Sequence, residues 1–206
     1  MKYVSIDLET TGPDHKKHQI IEFAAVIEDT ENRDVVQNLP YFRALVHHSN
    51  FVFDLFALEL HRKNGLLAEL AQKAPFTPST NAEKQSELVV DSTNTLAVAF
   101  NWWLKKYLFG TPEILGMSRV SITAAGKNFA SFDLRFLEHT NFLELVSFKH
   151  RFLDPSIFFL KHTDESVPGS DECKKRAGIG QSVSHRALDD ARDVILMIRA
   201  GSTSLK

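Results

Sequence analysis

Residues 2–9, Lys2-Tyr3-Val4-Ser5-Ile6-Asp7-Leu8-Glu9, alternate in character, with Val4, Ile6 and Leu8 on one face and Tyr3, Ser5, Asp7 and Glu9 on the other. A period of two is that of a strand, so a pair of carboxylates emerges from one face of the first β-strand. Thr10-Thr11-Gly12-Pro13-Asp14 carries turn chemistry. Gln19 to Glu28 then reads as the next strand of a meander, and Tyr41 to His47 as a third. Beyond them the pattern changes to helix over about 54–73, with Leu55, Leu58, Leu66, Leu67 and Leu70 at apolar positions. A surface loop is expected from Pro75 to Glu87, a long buried helix from Leu88 to Phe109 and a strand from Val120 to Ala125. There follow a helix from Phe129 to His139, a short strand from His150 to Leu153 ended by Pro155, and a polar loop from Thr163 to Ser182. An amphipathic helix from about His185 to Arg199, stopped at Gly201, closes the chain. Strands first, then alternating helices and strands, imply an α/β fold in which helices cover a mixed sheet.

Composition narrows the class. A chain of 206 residues suffices for one compact domain with its own core, and 43% hydrophobic with 24% charged residues are ordinary globular values. No apolar run approaches the roughly 20 residues that span a bilayer. Met1-Lys2 leads straight into the first strand without a secretory leader, so a cytoplasmic protein with no membrane partner is expected. The single cysteine, Cys173, excludes an intramolecular disulfide and a cysteine-rich zinc site. A net charge of −2 argues against a protein that coats nucleic acid by bulk electrostatics, so any such contact must be local. Most of the 16 phenylalanines fall in apolar stretches and are expected in the core.

Three constellations carry chemistry. Asp7 and Glu9 repel each other unless something positive sits between them, and their oxygens suit hard cations such as magnesium or manganese. A bare Asp-x-Glu is more often a pair of solvated strand residues, but this one ends an apolar strand just before Thr10-Thr11-Gly12, where sheet-based sites commonly lie. In Gly126-Lys127-Asn128-Phe129-Ala130-Ser131-Phe132-Asp133, Asn128 reads as a helix cap. Asp133 is then expected in the second turn among Phe129, Phe132, Leu134, Phe136 and Leu137, either partnered or facing solvent. In His185-Arg186-Ala187-Leu188-Asp189-Asp190-Ala191, His185 and Asp190 on one regular helix would point about 140° apart. His185 is therefore expected at or before the helix start, with Asp190 at the edge of the buried face and Asp189 solvated.

Taken together, Asp7-Leu8-Glu9-Thr10-Thr11-Gly12, Asn128 to Asp133, and His185 with four residues before Asp190 resemble, in order and spacing, the three motifs of the DnaQ-like (DEDDh) exonucleases. The resemblance implies a ribonuclease-H-like fold, one exonuclease domain over 1–206 with its core at about 1–200, and release of nucleoside 5′-monophosphates from the 3′ ends of single-stranded DNA or RNA. It implies two divalent ions, Mg2+ or Mn2+, roughly 4 Å apart. Asp7 would bridge both, Glu9 and Asp190 would complete one site, Asp133 would act directly or through water, and His185 would be the general base. Thr10, Thr11 and Asn128 become candidate substrate contacts. So does His61, although Arg62-Lys63-Asn64-Gly65 after it departs from the family's His-Gly. Phe132 could wedge between bases, with core packing the competing role. Lys174-Lys175-Arg176, in the loop leading to His185, is expected to meet the phosphate backbone. A homodimer is compatible with all of this. The alternatives are a polymerase-associated proofreading subunit, or a silent nucleic-acid-binding module, which would typically lack one of the acids that stand here.

Overall fold

A computed structural model describes residues 1–32, 34–73, 87–110, 118–180 and 184–203. β1 (Lys2–Thr10) and β2 (Ile20–Asp29) pair antiparallel, with one irregularity between Glu9 and Thr10. β3 (Tyr41–Val46) adds antiparallel to β2, as the meander reading required. The helix expected over 54–73 is two, α1 (Leu55–Lys63) and α2 (Leu66–Gln72), broken at Gly65 with φ of 82°. Lacking a Cβ, glycine enters that left-handed conformation without a clash and so turns the chain there. The loop expected from Pro75 lies outside the described residues until Glu87.

The expected long helix from Leu88 is corrected. Glu87–Val90 forms β4, parallel to β3, and only then does α3 (Thr93–Phe109) begin, capped by the Ser92 hydroxyl accepting from the Thr95 N–H at 3.2 Å. Leu88-Val89-Val90 is a short apolar run that periodicity alone leaves ambiguous, and the open edge of β3 decides it as strand. Val120 to Ala125 divides into β5 (Val120–Ile122) and β6 (Ala124–Ala125). β6 runs parallel to β1, whereas β5 pairs with β7 (Val146–Phe148) in a separate two-stranded sheet. Between them lie α4 (Asp133–Glu138) and α5 (Phe142–Leu145). The strand expected over His150 to Leu153 reduces to one bridge between Leu153 and Ala125.

Part of the expected polar loop is helical. α6 (Ser170–Ala177) places Asp171 and Glu172 in its first turn and Lys174, Lys175 and Arg176 in its last, the order that complements the helix dipole. The closing helix, α7 (Ala187–Thr203), does not stop at Gly201. That glycine instead lets Phe158 pack against the helix, since a Cβ there would meet its side chain at 2.4 Å.

The main sheet has the order β4-β3-β2-β1-β6 and is covered on both faces. On one, Val4, Ile6, Leu8, Phe23 and Phe42 pack with Phe100 and Trp103 of α3 and Phe142 of α5. The rings of Phe23, Phe42, Phe100 and Phe142 meet at centroid distances from 4.8 to 5.9 Å. Each such buried side chain contributes roughly 1.5–3 kcal/mol. On the other face Tyr3, Ala24 and Val26 pack with Leu188, Ala191, Val194 and Ile195 of α7. Here the Ser5 hydroxyl donates to the Ala191 carbonyl at 2.7 Å. The polar face of β1 is therefore the face turned to α7. Among the described residues, no helix is long and apolar enough to cross a membrane.

Gly126, which follows β6, has no room for a side chain: a Cβ would stand 2.8 Å from the Ile6 carbonyl oxygen and 2.9 Å from the Phe129 Cβ. Gly126→Ala is expected to destabilise the protein by about 1–3 kcal/mol, read as a lower urea midpoint. An unchanged midpoint would mean that the turn into α4 yields freely.

Candidate active site

Asp7 and Glu9 follow Ser5 on the α7-facing side of β1, so the side-chain alternation that buries Tyr3 and Ser5 delivers both carboxylates toward Asp190. Asp133 arrives from the other edge. β6 pairs with β1 only at Val4 and Ser5, and further along the strand the Leu8 N–H donates to Asp133 Oδ1 at 3.0 Å. The acid thus caps an open strand edge. It is the first residue of α4 rather than in the second turn, because Asn128 is left-handed (φ 60°) instead of a helix cap. The Asn128 N–H donates to Asp154 Oδ2 at 3.0 Å, while Asp154 Oδ1 accepts from the Ser156 N–H at 2.9 Å. Asp154 therefore ties the turn carrying Asp133 to the start of the 3-10 turn Pro155–Phe159. The sequence reading passed over it, although an Asp directly before Pro155 is a cap signal.

His185 precedes α7, as expected, with φ of 53°. Ser184 Oγ donates to Asp190 Oδ1 at 3.2 Å. Donor atoms of Glu9, His185 and Asp190 lie within 4.8 Å of one another, a grouping able to hold a metal ion that includes the histidine as well as the acids. Asp7, Glu9, Asp133, His185 and Asp190 all line one cleft of about 1010 Å³, which runs from Phe56, Leu60 and His61 of α1 to the start of α6.

The charges there are unbalanced. Burial, reinforced by Asp133, Glu9 and Asp190, holds the Asp7 carboxyl well above its usual range. Burial also raises Glu9, with repulsion from Asp190 and Glu22 adding to it. It raises Asp133 against the opposing pull of its backbone hydrogen bonds, and lifts Asp190 to about 6. Lys174 and Lys127 line the same cleft. Lys174 pairs with Asp193, and Lys127 donates to Asn128 Oδ1 at 3.2 Å. Converging oxygen donors in a desolvated pocket fit a hard divalent cation, which would relieve the repulsion that raises their pKa values.

The expected substrate contacts divide. Thr10 lines the cleft, its hydroxyl donating to the Gly12 carbonyl at 2.9 Å. Thr11 is fully enclosed, and its Oγ1 accepts from the Gln19 N–H at 2.9 Å. Its carbonyl accepts from the Asp54 N–H at 2.8 Å, fixing the start of α1. His61 is buried at the cleft wall, with Nε2 donating to the Thr10 carbonyl at 2.9 Å and 3.8 Å from Glu9 Oε2. A carbonyl only accepts, so Nε2 carries the proton, and Nδ1 is an enclosed acceptor without a hydrogen-bond partner among the described residues. Burial lowers the pKa of this ring, favouring its neutral form. Asn128 and Phe132 both line the cleft, and Phe132 also packs on Phe136 at 5.2 Å. The cluster Lys174-Lys175-Arg176 does not form the phosphate-binding loop expected of it: Lys174 is buried, and Arg176 is held by Asp164 and Glu172. Phe56, at the cleft rim and 77% exposed, went unnoticed because an apolar residue in a helix pattern reads as core.

A family model described as RNase_T, exonuclease, matches residues 4–110. No curated protein is detectably similar in sequence. Among solved structures, cell-death related nuclease 4 (CRN-4) superposes with a TM-score of 0.60 at 13% identity, over 99% of this chain and 64% of that one. The zinc-bound E. coli ExoI–ssDNA complex does so at 0.57 and 16%, over 98% of this chain and 40% of that one. S. pombe Pop2p in its Mg2+- and Mn2+-bound form gives 0.55 and 12%, over 98% and 82%. This chain thus spans about two fifths of ExoI and under two thirds of CRN-4. At these identities the likeness is one of fold, the ribonuclease-H-like α/β arrangement.

The raised carboxylates fix the sign of a linkage. A carboxyl whose folded pKa exceeds its unfolded value, ordinarily near 4, binds more protons when folded, so stability falls as pH rises from about 4 through the folded pKa. For Asp190 that window extends past about 6. The rise in Tm on adding Mg2+ to EDTA-treated protein should therefore be larger at pH 8 than at pH 5. Asp7→Asn should raise the Tm of the metal-free protein at pH 8 and shrink the Mg2+ effect. A Mg2+ effect independent of pH would mean that the carboxylates do not share a cation.

Proposed function

This chain belongs to the RNase_T exonuclease family, and from that premise we propose that it is a metal-dependent 3′-5′ exonuclease of single-stranded nucleic acid, releasing nucleoside 5′-monophosphates. The observation that carries the reading is the convergence of Asp7, Glu9, Asp133 and Asp190, with His185, on one cleft. All but Asp7 and Glu9 lie outside the matched segment 4–110, so the fold, not the family match, supports their inclusion. The relatives add to it, since one was solved with single-stranded DNA and zinc and another with Mg2+ and Mn2+.

In this reading Asp7, Glu9, Asp133 and Asp190 hold the cations, two Mg2+ or Mn2+. Such ions, when bound, lower the pKa of water and offset charge on the phosphodiester oxygens. His185, at the cleft mouth, accepts the proton of the attacking water. Its place ahead of α7, rather than on the helix, lets the imidazole face the acids of β1 while Asp190 stays on the helix. His61 walls the cleft beside Glu9, and Phe132 offers a face to the base of the terminal nucleotide. Asp154 holds the turn that carries Asn128. The whole described chain then acts as one exonuclease domain.

Mononucleotide release from 3′-labelled and 5′-labelled single strands, DNA and RNA in parallel, tests the reading. Mg2+- or Mn2+-dependent shortening from the 3′ end is expected, abolished by EDTA and by Asp7→Ala. His185→Ala should reduce kcat about 10²–10⁴-fold. Shortening from the 5′ end, or cleavage that survives Asp7→Ala, would overturn it.

A further inference from the structure

Behind the cleft lies a partly buried set of ions, centred on the enclosed Glu22 and Arg43, that the hydrolysis described above leaves unused. Glu22 stands opposite Glu9 in the β1–β2 pair with none of its surface exposed. Its Oε1 accepts from Arg43 Nε at 2.5 Å. Its Oε2 accepts from the Ala187 N–H at 3.1 Å and lies 3.5 Å from Arg186 Nε. Arg43 in turn donates through both terminal nitrogens to Glu69 of α2, at 2.9 and 2.7 Å. Arg186 Nη2 donates to the same Glu69 carboxylate, which closes the ring. Two carboxylates and two guanidinium groups, with Lys73 2.6 Å from Glu69 and Glu87 3.6 Å from Arg43, thus join β2, β3, α2 and the entry to α7.

What this ring grips are the two residues that follow His185. The histidine itself is left-handed at φ 53°, a conformation that a non-glycine residue keeps only where its surroundings over-determine it. Its carbonyl accepts from Asn64 Nδ2, and Asn64 Oδ1 accepts from the Leu66 N–H at 3.0 Å, which ties the contact to the corner between α1 and α2. His185 is therefore held from both sides: its own carbonyl by Asn64, and the next two residues by Glu69 and Glu22.

We propose that Glu22 is a positioning residue for the hydrolysis, holding the Arg186–Ala187 segment so that the His185 imidazole stands against Glu9 and Asp190. The inference rests on His185 being the base, as proposed above. Glu22 is enclosed and does not line the cleft. It acts through the backbone that presents the histidine, and Asn64 is its counterpart on the other side.

The test is a double-mutant cycle. kcat and KM for release from the 3′ end are measured at saturating Mg2+ for the wild type, Glu22→Gln, His185→Ala and the double variant. In the wild-type background Glu22→Gln should lower kcat about 10- to 100-fold, with KM within about twofold. In the His185→Ala background it should lower kcat less than about twofold, because the group it positions is gone. Asn64→Ala, which leaves the buried ring whole, should show the same pattern with a smaller loss. Equal fractional losses in both backgrounds would assign Glu22 to the general fold or to the field at Asp7 and Glu9, and would overturn the proposal. Should Glu22→Gln fail to fold by circular dichroism, Asn64→Ala decides, and full kcat in that variant sinks the idea. If His185→Ala itself keeps full activity, the histidine is not the base. The positioning role then falls with that reading, by a result distinct from an additive cycle.

Discussion

Carboxylates cannot be crowded into a desolvated cleft unless positive charge answers them, and much of this structure is arranged around that requirement. On the α7-facing side of the sheet stand Asp7, Glu9 and Glu22, with Asp133 and Asp190 brought in from α4 and α7. The protein answers one of these itself. Glu22 is enclosed by Arg43 and Arg186, which also share Glu69. Removing one partner of a buried pair such as Glu22–Arg43 typically costs about 3–5 kcal/mol, and the set ties β2, β3, α2 and the start of α7 to one another. The others remain in mutual repulsion with raised pKa values. The division separates structural charge, neutralised within the chain, from charge kept for a cation.

Strand geometry makes the division economical. β1 buries both faces, one in the phenylalanine-rich core under α3 and the other against α7. Alternation along that second face runs Tyr3, Ser5, Asp7, Glu9, so one strand passes from apolar packing, through a hydroxyl bound to α7, to the open acids of the cleft. The short β6 supports only the first part of the strand. Where it ends, a backbone N–H is left for Asp133, so the end of sheet pairing is also what anchors the third acid.

Helix termini do the rest. α1 begins where Thr11 and Asp54 fix it and buries His61 beside Glu9. Gly65 turns the chain so that α2 can present Glu69 beneath the site. α7 begins two residues after His185, which leaves the imidazole on irregular backbone and Asp190 on the helix. Such a residue gains reach at the expense of intrinsic order, and its neighbours must restore that order.

The amino-acid sequence by itself determined the strands of the meander, the placing of His185 before its helix, and the acids Asp7, Glu9, Asp133 and Asp190. Each is written in local periodicity or in a short motif whose members lie within a few residues of one another. Tertiary structure alone decided that Leu88 to Val90 is strand, that α6 consumes Lys174 and Arg176 in ion pairs, and that Thr11 is enclosed. It alone decided the meaning of Glu22, whose partners lie 21 and 165 residues away. In sequence Glu22 is one polar position in an apolar strand, indistinguishable from a solvated one. Burial and pairing across distant segments give it a role, because the energy of a charge depends on the dielectric and the partners that only the folded chain assembles.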